Sequence, residues 1–194
     1  HIAHVSSRGS VDIIRRAKKN GLRVTCEVTP HHLTLSDEYL KNFDTNGKVN
    51  PPLRSKKDIE SLIEGLNNGT IDAIATDHAP HALHEKEKEF DFAPFGIIGL
   101  ETAFSIIFTE LVKKNLITIS DLIENLSTKP ASIIGVKNGI KENFPADLTI
   151  IDEKRKFKIV DFVSKSSNSP FKNKELEGKI IYTIVDGKVV FEEG

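Results

Sequence analysis

The chain has 194 residues, of which 38% are apolar and 28% charged, a balance that allows one buried core with a small appendage. A net charge of −1 gives no electrostatic reason to expect nucleic acid or an anionic membrane as partner. The single cysteine, Cys26, excludes an internal disulfide framework and suits the reducing cytoplasm. No apolar run approaches the ~18 residues of a spanning helix, and no signal peptide is evident. The chain starts at His1 inside an apolar run and contains no methionine, as expected of a piece cut from a longer protein.

In chain order, His1 to Val5 has a strand pattern and Ser6 to Gly9 reads as a turn. Ser10 is the expected cap of a helix with Val11, Ile14 and Ala17 inward, closed by Asn20-Gly21. Leu22 to Thr29 reads as a second strand, broken by Pro30 and followed by His31 and His32. Residues 33 to 54 look irregular and end in Val49-Asn50-Pro51-Pro52-Leu53-Arg54. Ser55 and Asp58 resemble a capping box for a helix carrying Ile59, Leu62, Ile63 and Leu66. The stretch from Ile71 to His81 then reads as a buried strand that stops at Asp77, with His78, His81 and His84 in the loop beyond it. This strand-helix-strand-helix-strand order predicts parallel strands in an α/β sheet or barrel.

Beyond that loop, Ile97 to Leu116 reads as one long helix with Leu100, Phe104, Ile107, Phe108 and Leu111 inward. Ser120 caps a further helix, and Lys129 to Gly135 makes one or two helical turns. From Ala146 the texture changes to short strands at 148–151, 157–160, 179–185 and 188–191. Asp186-Gly187 is a hairpin signal between the last two. The expected division is therefore residues 1–145 and residues 146–194.

Three successive strands end in His4, His31/His32 and Asp77, and the strand ends of a barrel converge on one mouth. Imidazole with carboxylate suits zinc or a related divalent ion. Taken singly, His4 also fits a satisfied core histidine, and Asp77 a helix cap. Adjacent histidines at a strand end are expected to point to opposite sides.

Several stretches together resemble dihydroorotase of the longer bacterial class, within the amidohydrolase superfamily. They are residues 4–10, 27–35 (Glu-Val-Thr-Pro-His-His-Leu-Thr-Leu), 49–54 and 71–81. Ala93-Pro-Phe-Gly-Ile97 with Gly99-Leu-Glu-Thr102, and Asn168-Ser-Pro-Phe171 with Leu176-Glu-Gly-Lys179, belong to the same set. The resemblance spans nearly the whole chain, with the motifs in the family's order. It implies the C-terminal part of a (β/α)8 TIM-type barrel, the last three strands, plus the C-terminal share of a small β-sandwich.

The resemblance also implies a zinc-dependent cyclic amide hydrolase that interconverts (S)-dihydroorotate and N-carbamoyl-L-aspartate. His4 corresponds to a zinc ligand, and Asp77 to a zinc ligand and catalytic base. Asn50, His81, Phe95 and Gly96 correspond to residues that hold the substrate. The family's early His-x-His pair, bridging carboxylate and first later histidine ligand have no counterpart here. The binuclear site is thus expected to be incomplete, with no activity and weak or absent zinc in the chain alone. An open barrel edge must be covered by the N-terminal half, or by a second copy in a homodimer. A hydantoinase or allantoinase, a catalytically dead barrel paralogue serving as an assembly subunit, and a stable non-enzymatic module are the competing readings.

Overall fold

A computed structural model describes residues 1–194 as an α/β arrangement in which parallel pairings come first and an antiparallel sheet last. Ile2 forms a parallel bridge to Cys26, and β1 (Glu27–Val28) pairs in parallel with β2 (Ala73–Ile74) in the register Glu27–Ala73, Val28–Ile74. Between the paired segments lie α1 (Arg8–Lys19) and α3 (Lys56–Asn67), with the short α2 (Pro30–Thr34) directly after β1. The connections are helical crossovers, as parallel pairing demands.

Leu62, Val11, Ile71, Val28 and Cys26 are fully buried in one cluster with Ile107 and Leu122. Each such aliphatic side chain contributes about 1.5–3 kcal/mol on leaving water. Asp72 anchors β2 from its polar end: it accepts the Cys26 N–H at 2.9 Å and receives Lys18 Nζ at 2.6 and 2.7 Å.

Several local expectations are corrected. The cap of α1 is Ser7, whose Oγ accepts the Ser10 N–H at 3.3 Å, because the helix begins at Arg8. Pro30 does more than end a strand: it sits at the first position of α2, where a missing N–H costs nothing. Residues 33–54 hold two 3-10 turns, Asp37–Asn42 and Thr45–Gly47. Leu22 to Thr29 pairs only over its last residues.

The long helix expected from Ile97 is also shorter, because Ile97 is spent on a parallel bridge to His78. After the short α4 (Leu83–Lys86), the α-helix α5 covers only Ala103–Ile107, and Leu100 is exposed. The next turn, Phe108–Val112, widens to π geometry. There the Thr109 hydroxyl donates to Ser105 O at 2.7 Å and accepts the Glu177 N–H at 2.9 Å, competing with the helical ladder. Helix α6 (Ile119–Ile123) is capped by Thr118 with Asp121 in a reciprocal box, two residues earlier than Ser120.

After α7 (Lys129–Ile134), strands β3 (Leu148–Lys158), β4 (Glu175–Val185) and β5 (Lys188–Glu192) form an antiparallel sheet in the order β3-β4-β5. The strands expected at 148–151 and 157–160 are one bulged strand, and Asp186-Gly187 turns with φ of +49° and +72°. The sheet is locked to α5. Ser105 Oγ donates to Gly178 O at 2.7 Å, and a Cβ on Gly178 (φ +79°) would lie 2.6 Å from Phe108. A second core of Val49, Leu53, Ile97, Ile106, Phe171 and Leu176 joins this region to the loops beyond β2. No helix is long and apolar enough to cross a membrane.

Candidate active site

The parallel register brings His4 and Asp77 together. Val5 N–H donates to Glu27 O and Ala75 N–H to Val28 O, so the three parallel segments leave their two pairings side by side. His4 Nε2 lies 3.6 Å from Asp77 Oδ1. Both residues have backbone in the left-handed region, with φ of +52° and +47°. For a side chain other than glycine this costs on the order of 1–3 kcal/mol. Two strained residues facing each other at the ends of parallel strands mark a place where position outranks stability.

Glu27, not singled out by the sequence reading, completes this edge. Its Oε1 is 3.9 Å from His4 Nε2 and its Oε2 3.0 Å from His1 Nε2. Burial raises its carboxyl above the ordinary range, His4 opposes that and Asp77 adds to it. The available signal is a carboxylate near the end of the stretch that reads as a strand, Leu22 to Thr29.

His31 and His32 are both buried in α2, ring centroids 4.5 Å apart, instead of facing opposite ways. The helical turn begun by Pro30 replaces the expected strand alternation. His32 Nε2 donates to Pro51 O at 2.8 Å, which makes Nδ1 the acceptor for the Thr29 hydroxyl at 2.7 Å. His32 thereby ties the strand end to the segment that carries Asn50. Burial holds both imidazoles below their ordinary pKa, His31 well below, and so neutral. His31 Nε2 is buried without a hydrogen-bond partner.

The second half of the candidate site is a polar edge formed by the loop after Asp77 and the Phe95-Gly96 turn. His81 Nε2 donates to Phe95 O at 2.8 Å. His78 Nδ1 accepts the Gly99 and Leu100 N–H groups at 3.1 and 3.3 Å. Gly96 has φ +120°, and a Cβ there would sit 2.5 Å from Ala79 Cβ, so only glycine fits. Its N–H donates to Lys48 O at 2.9 Å, two residues before Asn50, which is exposed. Phe95 is also exposed, at 55%. Arg54 and His84 are exposed as well.

As a metal site this is two donors and no more. No group of three or more His, Cys, Asp and Glu side chains is placed to hold an ion. The 3.6 Å between His4 Nε2 and Asp77 Oδ1 nevertheless matches the roughly 3.4 Å separating two ligands of one tetrahedral zinc at ordinary bond lengths. The pair fits part of a metal cage, and this chain supplies no closed one.

The sequence profile of the Amidohydrolase family matches residues 1–190. The dihydroorotase of Caldanaerobacter subterraneus subsp. tengcongensis is 51% identical over 195 residues, covering all of this chain and 45% of that protein. The dihydroorotase of Bacillus cytotoxicus is 50% identical and is covered to 46%. The chain thus spans a little under half the length of the relatives it matches. Among solved structures, L-hydantoinase (dihydropyrimidinase) from Arthrobacter aurescens superposes with a TM-score of 0.93 at 33% identity, over 99% of this chain and 44% of that one. The dihydropyrimidinase from Brevibacillus agri gives a TM-score of 0.87 at 26% identity, over 98% of this chain and 44% of its own. With the profile running from the strand that delivers His4 to the last strand of the antiparallel sheet, the chain belongs to the amidohydrolase family.

Proposed function

We propose that this chain is the C-terminal part of a dihydroorotase: the last three strands of a (β/α)8 barrel and the C-terminal share of a β-sandwich. The division lies between residues 1–145 and 146–194. The observation that carries the reading is identity of about 50% to dihydroorotases along the full chain. The reaction is the reversible hydrolysis of the cyclic amide of (S)-dihydroorotate to N-carbamoyl-L-aspartate, run towards ring closure in cytoplasmic pyrimidine biosynthesis.

His4 and Asp77 would hold zinc, with the remaining ligands supplied by the N-terminal half of the same enzyme. When bound, zinc polarises the amide carbonyl and brings the pKa of a water towards neutrality. Asp77 takes the proton of the attacking water and returns it to the departing ring nitrogen. Its left-handed backbone aims the carboxylate across to His4 instead of along the strand. Asn50, His81 and the Phe95-Gly96 turn line the substrate side. The exposed apolar residues Ile134, Ile140 and Val163, with only three parallel strand segments in hand, support a further segment covering this chain.

The test is co-expression of this chain with the N-terminal half of a dihydroorotase, followed by turnover of dihydroorotate, hydantoin, dihydrouracil and allantoin. Restored dihydroorotate turnover is expected, with zinc retained by the assembled enzyme and neither seen with the chain alone. Asp77→Asn should lower turnover by about 10²–10⁴-fold, the range of a lost general base, and His81→Ala should mainly raise KM. Near-normal turnover in Asp77→Asn removes Asp77 as base. The L-hydantoinase superposition favours hydantoinase as the second reading, and preferential turnover of hydantoin would establish it instead.

A further inference from the structure

The two segments that make the substrate edge, the His81 loop and the Phe95-Gly96 turn, are joined by a residue from far along the chain. Asn168 is 5% exposed and uses every polar atom of its side chain. Its Oδ1 accepts the His81 N–H at 3.2 Å. Its Nδ2 donates to Ala79 O at 2.9 Å and to Gly96 O at 3.2 Å. Its backbone carbonyl adds a fourth tie by accepting the Ile98 N–H at 3.0 Å.

An amide is the side chain this position needs, because a carboxylate has no donors for two carbonyls and an ammonium no acceptor for an N–H. Gly96 O also accepts from the buried Lys86 ammonium at 3.1 Å, which donates to Pro94 O at 2.9 Å as well. A cavity of about 100 Å³ lined by His81, Lys86 and Asn168 runs along the same edge. Phe171, three residues on and fully buried in the second core, holds the segment bearing Asn168 against the barrel side.

We propose that Asn168 is a positioning residue that fastens the His81 loop and the Phe95-Gly96 turn into one rigid substrate edge. This rests on the reading of that edge as substrate-binding. The C-terminal segment therefore contributes to the site without touching the reacting atoms. His81 Nε2 is committed to Phe95 O, so a shift between the two segments would misplace the ring and the Gly96 backbone together.

Hydrogen exchange on the chain, resolved by peptide, tests the fastening. Asn168→Ala should speed exchange at His81, Gly96 and Ile98 at least tenfold and leave α1 and α3 within twofold. Asn168→Asp keeps the acceptor for His81 but loses both donors, so it should loosen Gly96 more than His81. Unaltered exchange at these amides overturns the proposal, as does uniform acceleration over the whole chain. In the enzyme assembled with its N-terminal half, Asn168→Ala should raise the KM for dihydroorotate at least fivefold, with kcat held within threefold. A KM within twofold of wild type, in an enzyme where His81→Ala does raise KM, also overturns it. If neither variant moves KM although exchange loosens as expected, the fastening stands and the substrate role of the edge is what fails.

Discussion

Gly96→Ala turns the geometry of the candidate site into a number. The backbone there has φ +120°, and holding a non-glycine residue in such a conformation costs about 1–3 kcal/mol. The new Cβ would lie 2.5 Å from Ala79 Cβ, far inside the roughly 3.5–4.0 Å optimum for two carbons. The loop must therefore move by about 1 Å, and overpacking of this kind costs about 1–3 kcal/mol. Together these give a loss of about 2–6 kcal/mol, large against the ~5–15 kcal/mol by which domains are stable.

Urea unfolding should show a lower midpoint with the slope unchanged. Two companion variants separate the causes. Ala79→Gly removes the atom that is struck, so the pair should recover the steric part of the loss and leave the dihedral part. Gly9→Ala, whose Cβ meets nothing within 4 Å, should be neutral or gain up to about 1 kcal/mol. A Gly96→Ala protein within about 1 kcal/mol of wild type would refute the placement of the turn against Ala79. Equal losses in the single and double variants would refute the clash alone.

Two titrating groups give further checks. Cys26 is fully buried, its Sγ donates to Thr70 O, and burial pushes the thiol up to about 11. It should resist a thiol reagent at pH 8 in the native protein and react fully in denaturant; rapid native labelling would contradict the core described. Lys86 runs the opposite way: burial, then Lys48, lowers its ammonium from 10.5 to about 8. The unfolded chain holds that proton more tightly, so unfolding takes up a proton between about pH 8 and 10.5. Stability should rise with pH through that window. Urea midpoints of wild type minus Lys86→Met isolate the effect from other groups, and a flat or falling difference would refute it.

What could be read from the residues was what depends on periodicity and local chemistry. Val11 and Ile14, or Leu62 and Leu66, repeat at helical spacing, and both pairs are buried as expected. Asn20-Gly21 and Asn68-Gly69 end their helices as expected, with the glycines in the left-handed region at φ of +78° and +74°. What escaped was decided by partners distant in sequence. Ile97 looks helical among Ile98, Leu100 and Phe104, yet its bridge to His78 withdraws it from the helix. Thr109 looks like any helical threonine, and nothing local shows that its hydroxyl, while donating to Ser105 O, also accepts the Glu177 N–H. Strand alternation would put His31 and His32 on opposite faces, and a single turn of helix buries both.

The same division explains the site. Asp77 and His4 could be picked out as chemically apt residues at strand ends, but nothing local reveals their left-handed backbone or that they face each other at 3.6 Å. Convergence is a property of register: Glu27 opposite Ala73 sets which residues leave the strands together, and a slip of one residue would send each side chain to the other face. The strain at His4 and Asp77 then has a clear structural counterpart. The cluster of Val28, Leu62, Ile71 and Ile74 beneath them is buried well enough to hold both residues where an isolated peptide would not stay. Relaxing either one towards extended backbone should stabilise this chain while separating His4 from Asp77, so stability and the candidate chemistry pull against each other at these two positions.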